Sequence, residues 1–509
     1  MMKRFTATVG FTFFLLFMAK ANYLLLPMDN TQKNHLKAYG IAFQTLKNEG
    51  TVQWLLNYRG GSFILADNES NKQTLALTDV TFEILTDNQT ADIVNVVLKG
   101  DKGTNLVSLS KLPKIAVYAP PYNKPYDDAV TLALQYAGID YKTIYDREVL
   151  RNDLNQYDWI HLHHEDFTGQ YSKWNYFYSN AAWYKSQKAD AEKEATALGF
   201  KKVADMKLAV AKKLKSFVEN GGQLFAMCTA TEALDVALAA DGVDIIPAEI
   251  DGTVADVDAN KKLNFNNTFA FQNFTVNTSA RVDDFSNIDI AVANRDLTKD
   301  PILLSLVDAR KDVTGAMLTQ NHTTSITGFA GQTTAYNRSF VKPNVAVLAT
   351  NSNPQEVRYL HGHIGAGTFT FLGGHDPAVA RHYVGGANTN LENNKTSSGY
   401  RLILNNVLFP SARNKAASVN NLPNIQLAVF PNPMVKYVNI ELKSTDVKRI
   451  KVALYSLSGQ ITFQENIELE QGAFAKKYNT ADLAAGIYIV EVSSEKGVLT
   501  QQMIVKADE

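Results

Sequence analysis

The only cysteine of the chain, Cys228, stands where the apolar run Gln223-Leu224-Phe225-Ala226-Met227 gives way to Thr229-Ala230-Thr231 and a helical pattern over about 231–240. A strand–turn–helix elbow lifts its central residue above the sheet in a strained backbone conformation, and it tolerates only small residues two before and two after. Ala226 and Ala230 meet that need. The helix that follows would aim its first N–H groups at the sulfur, favouring thiolate over thiol near a reference pKa of about 8.5. The same N–H groups could hold an oxyanion. A second element, Gly365-Ala366-Gly367-Thr368-Phe369-Thr370-Phe371-Leu372-Gly373-Gly374-His375-Asp376-Pro377, reads as a strand that delivers His375 at its carboxyl end. A cysteine and a histidine at one sheet edge can form a nucleophile–base pair.

A third group, His161, His163, His164, Glu165 and Asp166, follows the strand-like Trp159-Ile160-His161-Leu162-His163. Strand alternation puts His161 and His163 on one face and His164 on the other. Two chemistries are open. Glu165 or a histidine could assist Cys228 and His375, or His163, Glu165 and His375 could hold Zn²⁺ with one position left for water. No H-E-x-x-H or C-x-x-C spacing accompanies the cluster, and polar residues satisfied at a strand end would look the same. The catalytic candidates are Cys228, His375 and Glu165. The substrate-binding candidates are His163, His164, Thr229 and Asp376. No metal ligand set is assigned and no cofactor is expected, Zn²⁺ being the one ion the cluster could take.

Three weaker signals lie nearby. Trp174, Tyr176, Phe177, Tyr178, Trp183 and Tyr184 would suit stacking on sugar rings if exposed, or the core of a packed loop if not. Asp256-Val257-Asp258-Ala259-Asn260 begins like a calcium loop, but its sixth position is Lys261 where that loop needs glycine, so it reads as a solvated loop. Met317-Leu318-Thr319-Gln320-Asn321-His322 could line the same pocket.

The elements that must position these residues alternate. Lys114-Ile115-Ala116-Val117-Tyr118 reads as a buried strand, 127–137 as a helix ending at Gly138, and 141–145 as a second strand. The strands at 159–163 and 223–227 flank an amphipathic helix over about 206–219 that stops at Asn220-Gly221-Gly222. Further strands at 345–348 and 367–372 and a helix near 400–408 close the unit. Such alternation predicts an α/β domain with a flavodoxin-like, mostly parallel sheet, whose ligands gather at the strand carboxyl ends. The domain is expected over 22–410, with an N-terminal extension (22–113) of similar texture packed against the sheet. An Asn-, Asp- and Thr-rich stretch, about 242–339, is expected as a β-rich insertion.

With 509 residues the chain holds two to four domains and buries a core without disulfide or metal staples. One cysteine permits no intramolecular disulfide. A net charge of -1 without a basic run argues against nucleic acid. Lys3 and Arg4, the apolar run 11–18 and Ala19-Lys20-Ala21 form a signal-peptide pattern over 1–21, and no later stretch has the roughly 20 apolar residues of a membrane helix. A polar linker (411–424) precedes short alternating strands over 425–509, expected as a small β-sandwich.

That last region carries Phe430-Pro431-Asn432-Pro433, then Tyr455-Ser456-Leu457-Ser458-Gly459, then Leu483-Ala484-Ala485-Gly486-Ile487-Tyr488. It resembles the type A C-terminal sorting domain of the Bacteroidota type IX secretion system. The resemblance implies handling by the type IX machinery and a secreted or surface-attached product. The elbow and the His375 strand together resemble the class I glutamine amidotransferase-like superfamily, including its ThuA-like branch, over 114–410. The resemblance implies Cys228 as nucleophile and His375 as base. The sequence departs from the family at Ala226 and Ala230, where glycines are usual, and at Pro377, where the acid two residues after the histidine is usual. The region also resembles Bacteroidota proteins labelled asparagine synthetase B, through Tyr23-Leu24-Leu25-Leu26-Pro27-Met28-Asp29 and His161-Leu162-His163-His164-Glu165-Asp166-Phe167, with Trp54-Leu55-Leu56-Asn57-Tyr58-Arg59-Gly60-Gly61 between them. That label implies an N-terminal cysteine and ATP; the expected mature N-terminus is Asn22 and no P-loop is present. The reading is therefore a cysteine-dependent hydrolase of an amide or a glycan-derived small molecule, or else a non-catalytic ligand- or glycan-binding surface protein.

Overall fold

A computed structural model of the chain describes residues 22–412, apart from 101–102, 122–127, 152, 291–299, 330 and 379–388, and residues 425–506, apart from 433, 445–447, 457–459, 470–471, 485 and 495–496. The expected signal peptide, most of the linker, and Asp127, Pro433, Gly459 and Ala485 lie outside the described residues.

Ile115–Tyr118, Trp159–Leu162 and Gly367–Leu372 are buried along their whole length, as strands covered by helices on both faces must be. With Lys142–Ile144 and Gln223–Met227 they form five parallel neighbours, ordered 2-1-3-4-5 when counted along the chain. Ile115 and Val117 face an apolar cluster with the helices His35–Lys47, Ala129–Ala137 and Ser398–Leu408. Ala116 and Tyr118 point the other way, toward Val203–Glu219 and Thr229–Ala239. Each buried Leu, Val or Phe contributes roughly 1.5–3 kcal/mol over leaving it in water.

Beyond Gly367–Leu372 the sheet continues antiparallel through Glu356–Ile364, Ala346–Thr350, Ile302–Leu304 and Ser325–Ile326, and Tyr336–Asn337 also pairs with Glu356–Ile364. The expectation of a mostly parallel sheet is corrected: the sheet is mixed. The physical reason is connection length, because Glu356–Ile364 and Gly367–Leu372 are joined by a two-residue turn, which permits only an antiparallel pair. Strands of the 242–339 region thus extend the main sheet, and its Phe269 and Phe271 pack on the same core.

The N-terminal segment forms its own five-stranded antiparallel sheet and shares the first apolar cluster through His35–Lys47. Arg401, fully buried, ties it to the central unit: its guanidinium donates to Met28 O (2.9 Å) and Gly60 O (2.5 Å) and meets His322 Nδ1 at 3.1 Å. At the C-terminus a three-stranded and a four-stranded antiparallel sheet share one core, with Val438, Ile440 and Leu442 facing Val452, Leu454 and Val490.

Candidate functional site

The strand register sets the site. Leu162 pairs with Ala226 and Met227 with Leu372, so the chain leaves all three strands at one edge, bringing His163, Cys228 and His375 together. Cys228 is the N-cap of Thr229–Ala239 and holds φ 52° and ψ −140°, a strained conformation for a residue with a side chain. Its N–H donates to Gly374 O at 3.1 Å, and its carbonyl accepts from Thr231 Oγ1 at 2.7 Å. Gly374, at φ +97°, must be glycine, because a Cβ there would lie 2.1 Å from Phe329 O. The same turn swings His375 back toward the cysteine: a Cβ on Gly331 would come within 3.0 Å of His375 Cβ and 3.2 Å of Cys228 Sγ.

Residues 331–334 therefore lie over the thiol, which is buried. Burial pushes the Cys228 thiol above its ordinary value, while N–H groups of Gln332, Thr333 and Thr229 pull it the other way. Burial, the larger of the two effects, works against the thiolate that the helix N-terminus was expected to favour. Ala230 N–H, the other early donor of the helix, goes to His163 O at 3.0 Å.

His375 Nδ1 lies 2.8 Å from His163 Nε2, and His163 Nδ1 lies 3.2 Å from Asp128 Oδ1. Asp128, N-cap of Ala129–Ala137, also accepts from the N–H groups of Val130 and Thr131. Burial alone would raise its carboxyl, but His161 and His163 hold it well below the usual range. Burial pushes His163 down to about 4 against the pull of Asp128, so it is neutral at neutral pH. A neutral His163 that donates Nδ1–H to Asp128 presents its bare Nε2 to His375 Nδ1. His161 completes the base of the cluster, with Nδ1 3.0 Å from Phe225 O and Nε2 3.4 Å from Asp128 Oδ2.

The other expected residues are placed as follows. Glu165 is buried and accepts from His163 N–H at 3.2 Å; burial, and next the Asp128 charge, push its carboxyl up to about 8. Of the residues expected to assist His375, Glu165 or a histidine, it is His163 that meets His375 Nδ1. Asp376 accepts from Tyr400 Oη (3.0 Å) and Thr389 Oγ1 (2.6 Å), bracing the loop after His375. Thr229 is buried with its hydroxyl unpartnered among the described residues, and half-buried His164 has its ring 5.2 Å from that of His163 and 5.5 Å from that of His375. His322 is away from this group, stacked on His35 at 4.4 Å. The aromatic run divides: Tyr184 is buried, whereas Tyr176 and Phe177 are 57% and 60% exposed. Asp256 and Asp258 pair with Lys262 and Lys261, as a solvated loop does.

Sequence reasoning missed Asp128 and the buried carboxyls Glu232 and Asp289. Glu232, one turn after Cys228, accepts from Ser286 Oγ (2.6 Å) and Thr333 Oγ1 (3.2 Å), and Asp289 accepts from the N–H groups of Thr334 and Ala335. The one sequence signal was Glu232, a charged residue in a short alanine-rich helix directly after Cys228.

Residues 428–506 match the secretion system C-terminal sorting domain family. The chain is thus cargo handled by the type IX export machinery, and it reaches the cell surface or the medium. No helix among the described residues is long and apolar enough to cross a membrane. No curated protein matches the chain. Among solved structures, cytoplasmic protein STM3548 from Salmonella typhimurium is similar at 12% identity over 60% of this chain and 100% of that one, with a TM-score of 0.30. Gan42B, a GH42 β-galactosidase from G. stearothermophilus, is similar at 8% identity over 73% and 41%, TM-score 0.24. An exo-β-1,4-mannosidase from Opitutaceae bacterium strain TAV5 is similar at 13% over 52% and 31%, TM-score 0.22. Likenesses this distant carry no argument about activity.

Proposed function

We propose that this exported protein is a cysteine-dependent hydrolase of an amide or a glycan-derived small molecule, built on an amidotransferase-like, flavodoxin-like domain. The observation that carries the reading is the hydrogen-bonded line Asp128–His163–His375, whose His375 Cβ lies 3.0 Å, and the Sγ of strained Cys228 3.2 Å, from where a Cβ on Gly331 would sit. It supplies the orienting contact that Pro377 removes from the usual position. The 2-1-3-4-5 order of the parallel strands supports the fold assignment.

In this scheme the resting sulfur keeps its proton. As Sγ attacks the carbonyl carbon, His375 Nε2 takes that proton, and the charge passes into a ring held by His163 and Asp128. Thr229 N–H, with Gln332 and Thr333 N–H displaced by substrate from the sulfur to the oxygen, holds the tetrahedral oxyanion. His375 returns the proton to the leaving nitrogen or oxygen as the carbonyl reforms, giving a thioester on Cys228. Water, deprotonated by His375, cleaves the thioester and releases the acid.

The test uses p-nitrophenyl acetate as acyl donor and mass spectrometry of the quenched mature protein. An acetyl group on Cys228, absent from Cys228→Ser, is the expected result; acetylation of lysines alone overturns the reading. The second reading, a non-catalytic binding protein, is favoured by the closure of 331–334 over the thiol and by exposed Tyr176 and Phe177. It predicts glycan binding that is lost in Phe177→Ala and unaffected in Cys228→Ser.

A further inference from the structure

Three imidazoles from two chain segments, His163, His164 and His375, place one ring nitrogen each within 4.8 Å of one another. His163 and His375 are buried and His164 is half-buried, so one side of the group is open to an incoming ion. Imidazole sets of this kind take Zn²⁺ and its first-row neighbours. A ligating histidine also needs its second nitrogen fixed by an acceptor, which aims the ring and raises its donor strength. Asp128 does this for His163 from 3.2 Å on the Nδ1 side, leaving Nε2 to face the other two rings. An inner trio, Asp128, His161 and His163, lies equally close. It is the poorer site: all three are fully enclosed, His161 Nδ1 is engaged by Phe225 O, and Asp128 Oδ1 already accepts from Val130 and Thr131.

We propose that His163 Nε2, His375 Nδ1 and a ring nitrogen of His164 bind a single Zn²⁺-type cation, with Asp128 as the positioning residue behind His163. Ligand nitrogens 2.0–2.1 Å from a tetrahedral ion stand about 3.3 Å apart. The 2.8 Å separation of His163 Nε2 and His375 Nδ1 must therefore open by about half an ångström as the ion replaces the proton they share. No proton need leave the protein. The ion on His375 Nδ1 moves that ring's proton to Nε2, the atom that must be bare to receive the Cys228 proton. The ion-bound and base-competent tautomers of His375 exclude each other, so Zn²⁺ switches off the acyl transfer proposed above. The binding site itself does not depend on that transfer.

The experiment is a titration of chelator-stripped mature protein with Co²⁺, followed by its visible ligand-field bands, and with Zn²⁺ by calorimetry, in the absence of substrate. One equivalent is expected. His164→Ala should weaken binding at least ~100-fold and Asp128→Asn, which keeps an N-cap, by ~10–100-fold. His363→Ala, at an exposed histidine outside the cluster, should leave it unchanged. His375→Gln, checked for folding by its melting temperature, gives a second reading and should lose the Co²⁺ bands. Absence of binding, or binding that survives both His164→Ala and His375→Gln, overturns the proposal. A protein that binds Co²⁺ but takes no acetyl group on Cys228 keeps this site and loses the hydrolase.

Discussion

At Cys228 the backbone conformation costs on the order of 1–3 kcal/mol, a strain retained only where the surroundings force it. Here the forcing groups are Gly374 O on its N–H and Thr231 on its carbonyl. Iodoacetamide should therefore label Cys228 slowly at neutral pH, with a midpoint above the ordinary thiol value, because burial raises it. Asp128→Asn makes a sharper case. The amide oxygen can still cap the helix and accept from His163 Nδ1–H, since both meet the same Oδ1, but the negative charge behind the line is lost and the nitrogen that replaces Oδ2 faces His161 as a donor. Acylation of Cys228 should fall ~10²–10⁴-fold while the melting temperature changes little; an unchanged rate would make Asp128 only a cap. Cys228, His163 and His375 were legible in sequence because their types are rare and each follows an apolar run. Asp128 was not, because an aspartate before an alanine-rich helix is what any N-cap looks like. Its second role comes from a strand more than thirty residues away.

Among elements, the segment 331–335 decides access to the sulfur. Thr333 is held by Glu232, Thr334 and Ala335 by Asp289, and the Gln332 amide by Ser172 O and Asp283 O. Gly331→Ala would drive a Cβ to 2.9 Å from His375 N, so the segment must lift. The expected result is faster alkylation of Cys228 and a loss of ~1–3 kcal/mol in stability, read by denaturant unfolding. Burial keeps Glu232 protonated up to about 8 and Asp289 up to about 7, with each charge and that of Asp284 opposing the others. Folded protein thus holds protons that unfolded carboxyls release near 4.5, so this contribution to stability is full below that pH and is lost as pH rises toward about 8. Melting temperature should fall between pH 7 and 8, above the range where the neutral buried His35, His163, His322 and His361 act in the opposite sense, and Glu232→Gln should flatten the fall; an unchanged slope would remove Glu232 from the account. Alternation of strands and helices was readable from period and length. The antiparallel half of the sheet was not, since it depends on the unforeseen strand Glu356–Ile364 and on which short strands of the 242–339 region pair with it and with Ala346–Thr350.

On the scale of the whole molecule, the export domain and the candidate site lie in separate parts of the chain. The sorting domain was readable because three specific turn motifs fall together in one short region, and the family match over 428–506 agrees with it. Deleting 425–509 should leave the protein inside the cell envelope, absent from surface and medium in fractionation; continued surface delivery would contradict the assignment. The N-terminal sheet was harder to foresee: the segment read only as similar in texture to the central unit, and nothing local states that Tyr23–Leu26 and Val52–Leu56 belong to an antiparallel sheet or that Arg401 bridges back to Met28 and Gly60. The central claim is that the Asp128–His163–His375 line activates Cys228 as a nucleophile. Its most direct test is the pre-steady-state burst of p-nitrophenolate from p-nitrophenyl acetate, in wild type beside His375→Ala and Cys228→Ser. The account predicts one fast equivalent in wild type, slowed ~10²–10⁴-fold in His375→Ala and absent in Cys228→Ser. A burst that is missing from wild type, or that survives in either variant, would contradict it.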